Sequence, residues 1–334
     1  MPELLDPTDR DICAALLRNG RASWRLIAQA TGLQERTVAR RATRLFEQGL
    51  VRVTALANPF LAGRGDAFLA RITCSPEHLS QIAQWLAHRP ESLWVTTLMT
   101  SSAVVGEFFL HQGNRTSFIE QDLKDLPIQD FSFAPIHHYG RTVRGWQPEI
   151  LDAEQLAHIG EDESSALTAA SNHPVELDPV DQQIVSLLEQ DGRMSIEAIS
   201  SKLGTAKATV RKHISLLQQS DRVSIRAVLD PAILGYPYEV FVSVRPRFGG
   251  SAAVTTLLAA DRRSRWVAET SVDGSVYALL AFADRDDVPS MLNTLAMHLT
   301  DEDPRVTVEP LLTMYKRSDI LLPPAAPGDA QAES

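Results

Sequence analysis

The five residues LDPTD at positions 5–9 return as LDPVD at 177–181, and the offset of 172 then holds without a gap through the module that follows. It carries Ile12 onto Ile184, Leu16 onto Leu188, Gly20 and Arg21 onto Gly192 and Arg193, Ser23 onto Ser195, Gly32 onto Gly204, Val38 onto Val210 and Leu45 onto Leu217. Farther along, Phe68, Ala70 and Ile72 fall on Val240, Val242 and Val244, and Trp94 and Val95 on Trp266 and Val267. A duplication on this scale restricts the fold more than composition does, because whatever one copy builds the other must build too. The chain of 334 residues has room for several domains, and each copy divides into two modules.

In Asp6-Pro7-Thr8-Asp9 an N-cap carboxylate precedes a proline at the first helical position and an acid at the third, and Asp178-Pro179-Val180-Asp181 repeats this. A helix begins there, with Ile12, Ala15 and Leu16 or Ile184, Leu187 and Leu188 on its core face, and stops at Gly20 or Gly192. Ser23 and Ser195 cap a second, short helix that ends at the turn glycine Gly32 or Gly204. A third helix follows, its buried stripe formed by Val38, Ala42 and Leu45 or by Val210, Ile214 and Leu217. Helix, short helix, glycine turn and helix is the order of a helix-turn-helix.

At about 160°, 200° and 240° from Val38, Arg36, Arg40 and Arg44 project opposite the buried stripe. The net charge of −10 argues against a nucleic-acid partner only until it is resolved along the chain. Residues 21–54 carry seven Arg against Glu35 and Glu47, a local +5, and residues 193–226 repeat that balance. Such a face neutralises phosphates, and Arg on a helix in the major groove reads guanine edges. The candidate contacts to double-stranded DNA are Arg36, Thr37, Arg40, Arg41 and Arg44, with Lys207, Thr209, Arg211 and Lys212 in the second copy. There the places of Arg36, Arg40 and Arg44 are taken by Ala208, Lys212 and Leu216. The first helix is therefore expected to read sequence and the second to add backbone affinity or to pack on protein.

The second module alternates in the strand manner over 67–73, continues with a helix carrying Leu79, Ile82 and Leu86, then strands at 93–99 and 104–110, a helix at 116–125 and a strand at 128–138. The order is βαββαβ, repeated as strand 238–245, helix 252–260, strands 266–271 and 275–282, helix 287–299 and strand 305–315. Helices cover only one face of such a sheet, so the other face needs a partner, which the second copy supplies. The expected fold class is α+β, two copies of a winged helix-turn-helix followed by a ferredoxin-like βαββαβ domain. The boundaries are 1–58 and 177–230 for the helix-turn-helix domains, 59–146 and 231–322 for the βαββαβ domains, 147–176 for a linker with a short helix at 153–159, and 323–334 for a disordered tail.

The segment from Leu5 to Val51 resembles the DNA-binding part of the Lrp/AsnC transcriptional regulators, and the resemblance extends over nearly the whole chain, twice. It implies a regulator in which the tandem stands for the family's dimer, with further assembly into a dimer of pseudo-dimers. It also implies a small effector, such as an amino acid, at the loop joining the middle strands. The matching residues are Ser101, Ser102, Asp273 and Gly274, although the Gly and downstream Asp typical of that loop are not in clear register here. Sirohaem decarboxylases are similar in both modules and offer an enzymatic alternative, for which His137 and His138 are the paired histidines; a protein-interaction module that has lost DNA binding is the other. There is no phosphate-binding glycine loop and no nucleophile elbow, so neither an enzyme nor a cofactor is expected. Two cysteines, Cys13 and Cys74, exclude a disulfide framework. The start lacks a basic segment followed by an apolar one, and no apolar stretch reaches the roughly 20 residues of a membrane span, so a cytoplasmic location is expected.

Overall fold

The computed structural model describes residues 4–58, 64–160, 177–247, 249–299 and 304–323. The first head consists of α1 (Pro7–Arg18), α2 (Trp24–Thr31), α3 (Glu35–Glu47) and a wing strand β1 (Val51–Ala57). Asp6 caps α1 by accepting from the Asp9 amide at 2.9 Å, and Ser23 caps α2 by accepting from the Leu26 amide at 3.1 Å. Gly32 closes α2 in the left-handed region at φ 70°, as a helix-ending glycine should. Gly20 has a different reason. It is not a left-handed cap; a Cβ there would meet the Arg226 backbone at 2.7 Å, so the glycine allows the other copy to approach.

The first sheet domain runs β2 (Asp66–Cys74), α4 (Leu79–Ala87), β3 (Ser92–Leu98), β4 (Ala103–Leu110), a short α5 (Arg115–Ser117) and β5 (Ile128–Arg141). The helix expected at 116–125 is irregular because its apolar anchors, Phe118 and Leu123, are five residues apart; a wide turn with Leu123 N donating to the Phe118 carbonyl buries both. A helix α6 (Ala153–Ile159) follows, opened by an Asp152–Gln155 capping box. This corrects the expectation of a linker from 147: Trp146, Leu151 and Ile159 are buried in the core of the heads, and α6 packs on α1 and α2. The rest of the expected linker, 161–176, and the tail beyond Pro323 lie outside the described residues.

The second copy repeats the plan with α7 (Pro179–Gln190), α8 (Ile196–Leu203), α9 (Lys207–Gln219), β6 (Val223–Leu229), β7 (Tyr238–Arg245), α10 (Ser251–Ala260), β8 (Ser264–Thr270), β9 (Val276–Phe282), α11 (Val288–His298), β10 (Arg305–Arg317) and a short β11 (Ile320–Leu321). The two wings pair antiparallel, and the centre of their register, Thr54 opposite Arg226, is a residue and its own image under the 172 offset. The heads are thus related by a local two-fold axis. Side chains obey it too: Arg21 donates to the Gly192 and Met194 carbonyls at 2.7 and 3.1 Å, and Arg193 to the Gly20 and Ala22 carbonyls at 2.6 and 3.1 Å.

The sheets close on one another. Within each copy the order is β3-β4-β2-β5 or β8-β9-β7-β10, and the long last strands join the sheets, since β5 pairs β2 and then β8 while β10 pairs β7 and then β3. Eight strands form a ring without a free edge between them. In the last strand the offset grows to 175, as Pro135 opposite Phe68 corresponds to Pro310 opposite Val240. Between the sheets lies a core of its own, in which Trp94 and its image Trp266 meet edge to face at 5.2 Å. No described helix is long and apolar enough to cross a membrane.

Candidate nucleic-acid interface

Burial of Val38, Ala42 and Leu45 against α1 and α2 turns the opposite face of α3 outward, and Arg36, Arg40 and Arg44 are all exposed. Their engagements differ. Arg36 and Arg40, together with Arg25 on α2, have no ion-pair partner among the described residues. Arg44 instead reaches back to the buried carboxylate of Asp9, and Arg41 bridges Asp9 at 3.0 Å and Asp6. Two expected DNA contacts are therefore held by α1. The reason is electrostatic: Asp9, in the first turn of α1, loses its water on folding, and residues 41 and 44, three apart on one face of α3, supply cations. The Arg41 hydrogen bond holds the Asp6 carboxyl below its ordinary range, against the opposing effect of burial. Thr37 is half-buried beside these groups.

On α9, Thr209, Arg211 and Lys212 are exposed. Lys207 pairs with Glu197 at 2.6 Å, but both side chains are exposed, and such a pair gives way easily to a phosphate. Leu216, the image of the third arginine, stands half-exposed on the same helix. The image of Arg41 is His213, whose Nδ1 lies 2.8 Å from Asp181. The local charge of +5 also included residues that packing has half-buried or buried. Arg193 is packed 3.9 Å from the Trp24 ring centroid, and burial, then the neighbouring Arg21, push its pKa down to about 10. Arg226 is buried and donates to the Trp146 carbonyl. The exposed cations with no ion pair or side-chain hydrogen bond number three per head, Arg25, Arg36 and Arg40 against Lys202, Arg211 and Lys212, among the described residues. Arg25 and Lys202 entered the sequence reading only through the charge count.

The effector candidates occupy two separate turns, one per copy. Ser101 Oγ accepts from Arg71 at 2.9 Å, and Arg71 holds Glu309 of the other copy by two bonds of 2.9 and 3.1 Å. Ser102 adopts φ 38°. In the other turn Asp273 pairs with Arg245 at 2.7 Å, and Gly274 is left-handed at φ 65°. Each turn is hydrogen-bonded to the long strand of the opposite copy, Met99 N to the Pro310 carbonyl and Ser271 N to that of Pro135. Sequence reasoning missed Arg71, Glu309 and Arg245. The only signal was a charge inside an otherwise apolar strand pattern.

The family profile of the AsnC-type helix-turn-helix domain matches residues 5–45 and again 177–218. The chain thus carries an AsnC-type helix-turn-helix domain twice, once in each copy. It is similar to an uncharacterized HTH-type transcriptional regulator of Pyrococcus abyssi, 36% identical over 88 residues that make up 26% of this chain and 56% of that protein. It is also similar to the HTH-type transcriptional regulator FL11 of the same organism, 26% identical over 36% of this chain and 81% of the relative. The chain thus spans little more than half the length of the first of these relatives. Among solved structures the siroheme decarboxylase NirDL shares the fold, with a TM-score of 0.61 over 93% of both chains at 11% identity.

Proposed function

We propose that the protein is a sequence-specific DNA-binding transcriptional regulator of the Lrp/AsnC type, not an enzyme, and that it acts in the cytoplasm on double-stranded DNA. The observation that carries this reading is the wing ladder centred on Thr54 and Arg226, which joins two reading heads in one chain and leaves Arg36 and Arg40 uncommitted on the first. A fixed pair of heads sets the spacing of its half-sites. The heads differ in charge placement, so the operator of one chain is asymmetric, and pairing of two chains as a dimer of pseudo-dimers restores a palindrome. A small effector such as an amino acid, bound at the turns of Ser101 and Ser102 or of Asp273 and Gly274, shifts DNA affinity by favouring one assembly over another. The names of the relatives support the regulatory role.

Selection of bound duplexes from a random pool by the purified chain, at two salt concentrations and with and without amino acids, tests this. A shared sequence should emerge, with affinity falling steeply as salt rises. Failure to bind any duplex at low ionic strength overturns the proposal. One observation favours a second reading: the fold of a siroheme decarboxylase extends over nearly the whole chain. His137 and His138, however, line neither the cavity beneath the wings nor the open groove beside the last strand. Incubation with an iron uroporphyrin, followed by absorbance, decides between the two.

A further inference from the structure

Beneath the wing strand β1, where the heads meet the barrel, lies a cavity of about 40 Å³. Ala55 and Leu56 close it from the heads, and the images Trp94 and Trp266 line it from the barrel. Around this space the duplication has diverged in one direction. Glu107 is the image of Leu279, Arg265 of Leu93 and Arg317 of Thr142, the last under the offset of 175, so each copy contributes its own charge where the other is uncharged.

The charges are unevenly answered. Arg265 and Arg317 share the carboxylate of Glu239, the latter through bonds of 2.7 and 3.1 Å, and Asp230 is the other acid that acts on both. The buried Nε atoms of both, and the buried Thr142 hydroxyl, have no hydrogen-bond partner among the described residues. Glu107 is fully buried, has no ion-pair partner among the described residues, and accepts from Trp94 Nε1 at 2.8 Å and from the Tyr139 hydroxyl. The remaining charged groups on the wall are Arg64, Glu189 and Asp319. Unanswered donors on and beside the two guanidiniums, in the same wall as a carboxyl that has no ion-pair partner among the described residues, define what would fill the space.

We propose that the cavity binds a small carboxylate carrying a hydrogen-bond donor at its other end, its carboxylate toward Arg265, Arg317 and Thr142 and its donor toward Glu107. The volume corresponds to roughly three water molecules, so about five non-hydrogen atoms is the size expected. Occupation of the site needs no DNA. Any effect on DNA rests on the reading proposed above and is measured separately.

Ligand-observed NMR titration of the full chain with glycolate, glycine and acetate tests the site. Glycolate or glycine should bind at least tenfold more tightly than acetate, which lacks the donor. Thr142→Val should weaken that binding by about tenfold through loss of one donor. Leu56→Trp, which adds bulk from the face of the wing opposite the head core, should abolish it while thermal unfolding reports an intact fold. Equal binding of acetate, no binding of any of the three, or undiminished binding by a folded Leu56→Trp protein overturns the proposal. A DNA titration with and without the tighter probe then shows whether the site communicates with the heads; bound probe with unchanged DNA affinity counts against the coupling and leaves the site standing.

Discussion

The two reading heads have the same backbone and different electrostatics. In the first, Arg41 lies between Asp6 and Asp9, and Arg44 adds a second cation to Asp9. In the second, the equivalents of those carboxylates, Asp178 and Asp181, meet the His213 imidazole and no Arg or Lys among the described residues. The first head spends two arginines on its own stability and keeps Arg36 and Arg40 outward; the second has Ala208 and Leu216 at the first and third ridge positions and keeps Arg211 and Lys212. A charge count along the sequence cannot separate a cation that holds a buried carboxylate from one that waits for a phosphate. Packing makes that distinction.

The largest expected difference between the heads is in DNA affinity. Arg36→Ala with Arg40→Ala should weaken specific binding by about 100-fold or more, because bidentate base contacts are each worth roughly 1–3 kcal/mol. Arg211→Ala with Lys212→Ala should cost about tenfold at 0.15 M salt and reduce the salt slope, the behaviour of backbone contacts. Fluorescence anisotropy on a selected duplex measures both. Equal losses would make the heads equivalent readers and remove the asymmetry.

A second difference lies in the barrel, where Glu107 faces the position of its image Leu279. Burial pushes the Glu107 carboxyl up to about 7, against the hydrogen bonds from Tyr139 and Trp94. The folded protein therefore holds a proton that the unfolded chain releases near pH 4.5. The resulting stabilisation is complete below pH 4.5 and is lost as pH rises through 7, up to about 3 kcal/mol. Denaturant unfolding between pH 5 and 8 should show this decline, and Glu107→Gln should flatten it. If parent and variant fall in parallel, the carboxyl is not the group responsible.

How much of this could be read from the sequence follows from which interactions are local. Helix limits were legible because Asp6, Pro7 and Ser23 act within a turn of where they stand, and the buried stripe of α3 because Val38, Ala42 and Leu45 repeat at helical spacing. The pairing of the wings was not, since β1 and β6 meet only when the copies do, and nothing in either strand names the other. Gly20 was noticed as a helix end, but its actual role is the close approach of Arg226 from 206 residues away. The candidate site divides in the same way. Arg36 and Arg40 follow from helical geometry alone, whereas the loss of Arg41 and Arg44 to Asp9 required two helices to be in contact.

That contact gives a third test. Arg44→Ala leaves Arg41 as the sole cation on Asp9 and should destabilise the first head by about 1–2 kcal/mol, a half-exposed arginine facing a buried acid. Its DNA affinity, measured where the head remains folded, should change less than in the Arg36 variant. A large affinity loss with unchanged thermal unfolding would return Arg44 to the DNA-contacting set.

The smallest expected effect tests the comparison in the other direction, by making the second head resemble the first. His213→Arg would place a permanent cation where Arg41 stands in the first copy, within reach of Asp181 and of Asp178, which also caps α7 through the Val180 and Asp181 amides. Two carboxylates at the start of one helix otherwise rely on the helix dipole and those amides. Supplying a guanidinium should stabilise the second head by about 0.5–1 kcal/mol. Thermal unfolding measures the gain, with His213→Gln as the uncharged control. An equal gain from glutamine would mean that charge on residue 213 is immaterial, and that what separates the two heads is the shape of the side chain rather than the cation it carries.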